Sequence, residues 1–381
     1  MSFLKLGVIA RSGKENERRL PLHPDHFHQI PPQLRRAMLF ERGYGEPFGV
    51  SDEALSELFG GLADRDELLR DCDIVLLPKP LPGDLRAMRE GGILWGWPHC
   101  VQQPEITQIA INRKQTLLAW EAMFTWKRGG TPELHLFHRN NEMAGYCGVF
   151  HALEIAGLDG YYGPDLHAVV LSMGSVSRGA IYALRSRGIA RIRVYTQRAP
   201  RAVHDQVIGC GYGQMLAGTG DSGMVVIEEG GDRRPLVEVL AESDLIVNGI
   251  LQNTDHPLMF LRESEEIKLK RGSLIIDISS DLKMGFPFAR PTSFEKPTID
   301  LNGVLYYGVD HTPSYLWRSA TWEISRVVVA YLEAVAGGPS QWEEDETLQR
   351  AVEIRDGIVQ NPKILRFQKR SEQYPHLVGE C

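Results

Sequence analysis

Two residues capable of acid–base chemistry stand at the exits of apolar stretches. Lys79 follows Asp73-Ile-Val-Leu-Leu77, and His99 follows Gly92-Ile-Leu-Trp-Gly-Trp-Pro98. Each stretch reads as a buried strand. In α/β proteins the ligand crevice lies at the carboxyl ends of strands. Singly, a strand-end lysine is ordinarily solvated and a lone histidine is ordinarily a hydrogen-bonded core residue. Two such residues on successive strands point to a shared cleft, with the imidazole as a proton shuttle near neutral pH. Glu121 closes a third strand, Thr116–Trp120, and Asp281 follows a later one, Ser273–Ile278. For Asp281 the plain alternative is a turn residue or a helix cap. Arg19 lies in the polar run Arg11–Arg19, which taken alone reads as a solvated loop.

A different chemistry is written in Ala168-Val-Val-Leu-Ser-Met-Gly-Ser-Val-Ser-Arg-Gly-Ala180. Four apolar residues predict a strand, Gly174 a tight turn, and the spacing of Ala180, Ile181 and Leu184 a helix from about Ser175 to Arg187. A helix N-terminus after such a turn offers free N–H groups and positive dipole to a pyrophosphate. The Gly-x-Gly-x-x-Gly pattern is altered: Ser172 and Ser177 replace the first and third glycines around Gly174. Ser172, Gly174, Ser175, Val176 and Ser177 are the candidate phosphate contacts. The next strand, Arg191–Tyr195, leads to Thr196, Arg198 and Arg201 instead of a carboxylate. Arginines there suit a 2′-phosphate, so NADP(H) is favoured over NAD(H).

These residues need two domains to carry them, and 381 residues suffice for two cores. The predicted architecture is α/β, with two Rossmann-like domains, a cleft between them and two long linking helices. Residues 1–140 with 319–381 form a substrate domain, and 141–318 the dinucleotide-binding domain. The linking helices run from about Asn141 to Ile155 and from Ser319 to Val335. Residues 122–139 read as loop. Residues 199–235, including Gly209-Cys-Gly-Tyr-Gly213, read as a surface excursion. Residues 342–357 read as a helix, and the last twenty as a polar, partly disordered tail. A net charge of −7 without a basic stripe argues against a nucleic-acid partner. Cys72, Cys100, Cys147, Cys210 and Cys381 show no metal-ligand or disulfide spacing, so no metal is expected. No stretch has the length of a membrane span or the pattern of a signal peptide. A cytoplasmic enzyme with small-molecule partners, bound to neither membrane nor nucleic acid, is the expectation.

The ordered series of motifs resembles the alanine dehydrogenase and saccharopine dehydrogenase superfamily over roughly residues 4–336. Glu17-Arg-Arg-Leu-Pro-Leu-His-Pro24 resembles its "E-x-R-x-x-L-x-P" opening, and Glu142-Met-Ala-Gly145 its "E-x-A-G" helix start. Lys79 and His99 sit where the family has its active-site lysine and histidine. "Gly-Trp-x-His" and "Ser-Arg-Gly-Ala" look most like the carboxyethylornithine synthase branch, and Asp310-His-Thr-Pro-Ser314 like the lysine-forming saccharopine dehydrogenases. The resemblance implies an NAD(P)H-dependent oxidoreductase acting on the C–N bond of a secondary amine. It joins a 2-oxo acid to an amino-acid amine, or reverses that reaction. An amino-acid dehydrogenase releasing ammonia, and a non-catalytic cofactor-binding protein, stay open as alternatives. The resemblance further implies Lys79, His99 and Asp281 as catalytic residues and Arg19, Glu121 and Arg139 as substrate contacts. It adds Asn248, Asp310 and His311 to the cofactor contacts, and suggests a homo-oligomer, a dimer in the first instance.

Overall fold

The computed structural model describes residues 3–218, 223–253 and 256–379. The chain forms two compact units, Met1–His138 with Trp317–Cys381, and Arg139–Leu316.

The first unit is built on six short parallel strands. They are β1 (Leu6–Val8), β2 (Met38–Glu41), β3 (Leu62–Ala63), β4 (Ile74–Leu76), β5 (Ile93–Gly96) and β6 (Thr116–Ala119), in the order β3-β2-β1-β4-β5-β6. Every residue of β4, β5 and β6 is buried. That continuous apolar reading is the mark of a parallel sheet covered on both faces. One face packs Leu6, Val8, Leu76, Trp95 and Leu118 against Ile324, Val328 and Leu332 of the long helix Trp317–Ala336. The other packs Ile9, Val75, Leu94 and Leu117 against Leu68, Leu85 and Ile109. Residues 122–139 are not simply loop: β7 (Phe124–Trp126) and β8 (Pro132–His135) form a hairpin around the Gly129-Gly130 turn.

The C-terminal region differs from its sequence reading. The predicted single helix over 342–357 is instead two short helices, Pro339–Trp342 and Glu346–Ala351, followed by strand Val352–Arg355. That strand pairs antiparallel with β6, and Ile358–Val359 extends the sheet by one more. Sheet pairing overrides the weak helical pattern, because Val352 and Ile354 complete the core over β6. Nor is the polar tail loose: Ile364, Arg370 and His376 are buried. Cys381 lies outside the described residues.

The second unit holds a nine-stranded sheet. Its strands are β9 (His167–Leu171), β10 (Arg191–Thr196), β11 (Gly211–Ala217), β12 (Met224–Ile227), β13 (Arg233–Pro235), β14 (Leu245–Asn248), β15 (Leu274–Asp277), β16 (Thr298–Leu301) and β17 (Val304–Tyr307). The order is β13-β12-β11-β10-β9-β14-β15-β17-β16. From β9 the chain moves first to β10 and β11, then returns to β14 on the opposite side. That reversal makes the carboxyl ends of β9 and β14 the topological switch point, where open α/β sheets bind ligands. The region 199–235 is not a surface excursion. Gly211–Ala217 adds a parallel strand beside β10, and β12 and β13 fold back antiparallel. Gly211 and Gly213 lie closely over Arg193 and Tyr195 of β10, which is why a glycine-rich segment can be a strand here.

The "E-x-A-G" motif has a packing cause. Helix His138–Ala156 presses on helix Ser175–Ser186 through two glycines. A Cβ on Gly145 would stand 1.8 Å from the Val176 carbonyl oxygen, and one on Gly179 would stand 1.7 Å from that of Glu142. No side chain fits at either point, so Gly179→Ala must push the helices apart. The expected cost is at least about 2 kcal/mol, read as a lower midpoint in urea denaturation. The control Gly83→Ala, where a Cβ meets nothing within 4 Å, should leave the midpoint nearly unchanged.

Candidate active site

Lys79 and His99 meet because β4 and β5 leave the sheet pressed together. A Cβ at Gly96 would lie 1.9 Å from the Leu77 carbonyl oxygen, so only glycine allows this approach. The Trp97 N–H then donates to the Pro78 carbonyl at 2.9 Å, extending the pairing past the strand ends. Beyond it, Lys79 Nζ lies 2.6 Å from His99 Nε2. Ser12 donates its hydroxyl to the Lys79 carbonyl and holds the turn from the β1 side.

Arg19 joins this pair around one indole ring. Its guanidinium carbon is 5.1 Å from the Trp97 ring centroid, and Lys79 Nζ is 5.8 Å from the same centroid. Trp97 is fixed by edge contacts with Trp120 and Phe137 at 4.7 and 5.3 Å. Arg19 is buried rather than in a solvated loop. Glu17 takes the Nε–Nη2 edge of its guanidinium, at 2.8 and 2.5 Å. A two-pronged grip on a substrate carboxylate through that edge is therefore closed to Arg19. The segment around it is extended and belongs to no sheet. Its backbone N–H groups are satisfied instead by Thr321 (Leu20, 3.0 Å), Tyr44 (Leu22, 2.8 Å) and Ser325 (His23, 2.8 Å). Thr321 and Ser325 stand four residues apart on the long helix, a signal that the sequence reading passed over.

Glu121 stands behind His99. Its Oε1 accepts the His99 N–H at 2.6 Å and lies 3.8 Å from His99 Nδ1. Its Oε2 is buried without a hydrogen-bond partner. Burial first, then the nearby Glu353 carboxylate, raise the Glu121 carboxyl to about 8, against a smaller opposing pull from Lys79. Glu353 enters from the C-terminal strand, at the irregularity in its pairing with β6. It is 5% exposed and accepts from Asn361 Nδ2 at 2.9 Å, and burial raises its carboxyl too. The sequence reading missed Glu353, since nothing in its neighbourhood links it to residue 121. His135, from the hairpin, bonds to the Trp120 carbonyl at 3.1 Å, and burial lowers it to about 4, so it is neutral. Arg139 opens the second unit, where it is ion-paired to Glu142 at 3.0 Å.

In the second unit the turn after β9 is open where a phosphate needs it. A Cβ at Gly174 would meet nothing within 4 Å, and helix Ser175–Ser186 starts beside it. Ser172 sits at φ +87°, the conformation that the missing glycine adopts freely. Ser177 is fully buried and packs against Gly249, with its hydroxyl unpartnered, so it fills the helix–strand contact. Arg198 Nη2 donates to the Met173 carbonyl at 3.1 Å, which lays the guanidinium over the turn. Thr196 turns inward to the Arg198 carbonyl at 2.6 Å, while Arg201 is exposed on the following turn.

Asn248 is buried in a hydrogen-bond network. It donates to Asp277 at 2.9 Å and accepts from the Ile250 N–H at 3.2 Å. Asp277 also accepts from Tyr306 (3.0 Å) and the Ser280 N–H (2.9 Å), and burial raises its carboxyl to about 7. The sequence reading chose Asp281 and overlooked Asp277. The two divide the work: Asp277 anchors the turn, and Asp281 stands beyond it, raised by burial to about 6. Asp310 and His311 are paired to each other at 2.5 Å, with His311 buried. Among the described residues, no group of three or more His, Cys, Asp or Glu could hold a metal ion, and no helix is long and apolar enough to cross a membrane.

Sheet order and the switch-point turn together define a two-unit α/β protein of the dinucleotide-binding type. The chain belongs to the alanine dehydrogenase/PNT family. The model of that family's N-terminal domain matches residues 8–139, and that of its C-terminal domain residues 222–362. N(5)-(carboxyethyl)ornithine synthase of Clostridium botulinum is 25% identical, covering 84% of this chain and 92% of that relative. Alanine dehydrogenase of Halomonas elongata is 24% identical, covering 92% and 93%. A solved L-alanine dehydrogenase superposes with a TM-score of 0.73 at 20% identity, covering 95% of this chain and 98% of its own, and shows the shared fold.

Two expectations follow. Ser172→Gly relieves a left-handed serine and should stabilise the protein by about 1 kcal/mol, seen as a higher unfolding midpoint. The buried carboxyls give a pH signature. Both are raised in the folded state, so the stability tied to their protonation is full in acid and lost as pH rises. The loss falls between the ordinary value of 4.5 and about 8. Glu353→Gln keeps an oxygen for Asn361 and removes one charge, so its stability should fall less across that window than the parent's.

Proposed function

We propose that the chain is an oxidoreductase that reductively joins a 2-oxo acid to the amine of an amino acid, NADP(H) being the favoured cofactor. The observation that carries this reading is the Lys79–His99 pair set beside Arg19 around the Trp97 ring. Imine formation and reduction require a held carboxylate and a group that moves protons on and off nitrogen and oxygen. Lys79 supplies positive charge to the oxo acid's carboxylate, with Arg19, itself half-neutralised by Glu17, beside it. His99 is the proton carrier: it protonates the departing hydroxyl as the amine and oxo carbon condense with loss of water. Glu121, on the side of His99 away from Lys79, orients the ring.

The residues of the second unit fit a dinucleotide. The N–H groups at the start of helix Ser175–Ser186 and the bare face of Gly174 suit a pyrophosphate. Arg198 over the turn and Arg201 beyond it suit a 2′-phosphate. When bound, the cofactor supplies the hydride that reduces the imine to a secondary amine. Asp281, its carboxyl raised by burial to about 6, is the group assigned a proton-handling role on this unit.

The alanine dehydrogenase relatives favour a second reading, in which ammonia replaces the amino-acid amine. NADPH oxidation by the purified protein, with pyruvate and either ornithine, lysine or ammonium, separates the two. Turnover that requires an amino-acid amine supports the first reading, and turnover with ammonium alone replaces it with the second. In the active combination, His99→Ala and Lys79→Met should each lower kcat by at least about 100-fold while NADPH still quenches tryptophan fluorescence. Full turnover in both variants refutes the site.

A further inference from the structure

The loop that presents His99 is held by the C-terminal tail. His99 adopts φ +49°, and the chain turns at once, with the Gln102 and Gln103 N–H groups donating to the His99 carbonyl at 3.1 and 3.0 Å. The next two carbonyls point away from the site. Gln368 Nε2 reaches both, at 2.6 Å to Cys100 and 3.2 Å to Val101. Thr107 also donates to the Cys100 carbonyl at 2.9 Å. Gln368 is itself fixed, because Arg370 Nε donates to its Oε1 at 2.6 Å. Arg370 is buried, and its remaining N–H groups meet Gln108 Oε1 (2.7 Å), the His376 carbonyl (3.2 Å) and the Pro104 carbonyl (3.3 Å). These partners are neutral oxygens, so the guanidinium works here as a rigid fork of donors.

His376 closes the arrangement. Its Nε2 accepts the Val359 N–H at 3.1 Å, so its Nδ1 carries the proton and donates to the Ser371 carbonyl at 3.0 Å. The tail is thus tied back on itself while Gln368 and Arg370 grip residues 100–108. A surface tail that merely covered apolar surface would not need a buried arginine and two part-buried carbonyl contacts. Burying such groups is favourable only when every donor is matched.

We propose that Gln368 is a positioning residue for His99, acting through the Cys100 and Val101 carbonyls, with Arg370 and His376 keeping its amide in place. The segment that does this begins after residue 362, beyond both stretches matched by the family models. The proposal rests on the reading of His99 as the proton carrier. Removing the grip leaves the Val101 carbonyl without this donor and the Cys100 carbonyl, next to His99, with Thr107 alone. Small displacements of a proton-transfer group cost turnover far more than binding.

Gln368→Glu is the test, because it keeps the size of the side chain and the acceptor for Arg370 while removing the donor. Expected is a kcat lower by roughly 10–100-fold, with the KM for amine and nucleotide little changed. The pH profile of kcat should shift, and the fold should be retained by circular dichroism. Glu372→Ala, an exposed change in the same tail, should match the parent. A second readout does not need activity: the imidazole of His99, followed by NMR through a pH titration and assigned with His99→Ala, should titrate differently in Gln368→Glu. Unchanged kcat, pH profile and titration in Gln368→Glu overturn the proposal, as does an equal loss in Glu372→Ala. If the parent reduces no imine, the functional reading fails by itself. The titration still decides whether Gln368 governs the His99 loop.

Discussion

The candidate site depends on one close approach between backbones. Parallel pairing of β4 with β5 aligns their exits, and Gly96 lets the chain run on past the Leu77 carbonyl with no side chain between them. That contact brings together Lys79 and His99, twenty residues apart in sequence. A proline stands two residues past the end of each strand, Pro78 and Pro98, just before Lys79 and His99. The aromatic floor of Trp97, Trp120 and Phe137 is then a consequence. It fills the space under two exits that have to be open above.

Charge is handled unevenly around that floor. Arg19 enters already matched by Glu17, so its charge is not buried unpaired. Lys79 and His99 meet directly, Nζ to Nε2 at 2.6 Å. Behind them, Glu121 and Glu353 are two carboxyls in a poorly solvated place, where like charges cannot both persist. Holding them partly protonated spares the histidine a full negative neighbour.

In the second unit a degraded glycine pattern still makes an open turn. The one glycine that the backbone's approach to a phosphate demands, Gly174, is retained. The other two positions show what serine can do in their place. Ser172 accepts a left-handed backbone at some cost, and Ser177 is small enough for the helix to reach β14 beside Gly249. The helix is pinned from its other side by Gly145 and Gly179. The unit is therefore organised by glycines outside the nucleotide pattern as much as by those within it.

Much of this was legible beforehand. Buried parallel strands declare themselves as unbroken apolar runs, and a Lys or His just past such a run can be placed at a crevice from the sequence alone. Lys79, His99, Glu121, Gly174 and the two long helices are local readings of that kind. Segments whose structure comes from distant partners were misread. The glycine-rich 211–217 became a strand only because β10 offered an edge, and 352–355 only because β6 did. Arg19 looked solvated until Tyr44, Thr321 and Ser325 supplied its segment with hydrogen bonds. Glu353 and Gln368 could not be tied to His99 from sequence, since more than 230 residues separate each from the groups it supports. Period and turn chemistry are properties of neighbours along the chain, and they determined the elements. Which carboxyls face one another, and which carbonyls need a donor, are properties of neighbours in space that only the folded chain decides.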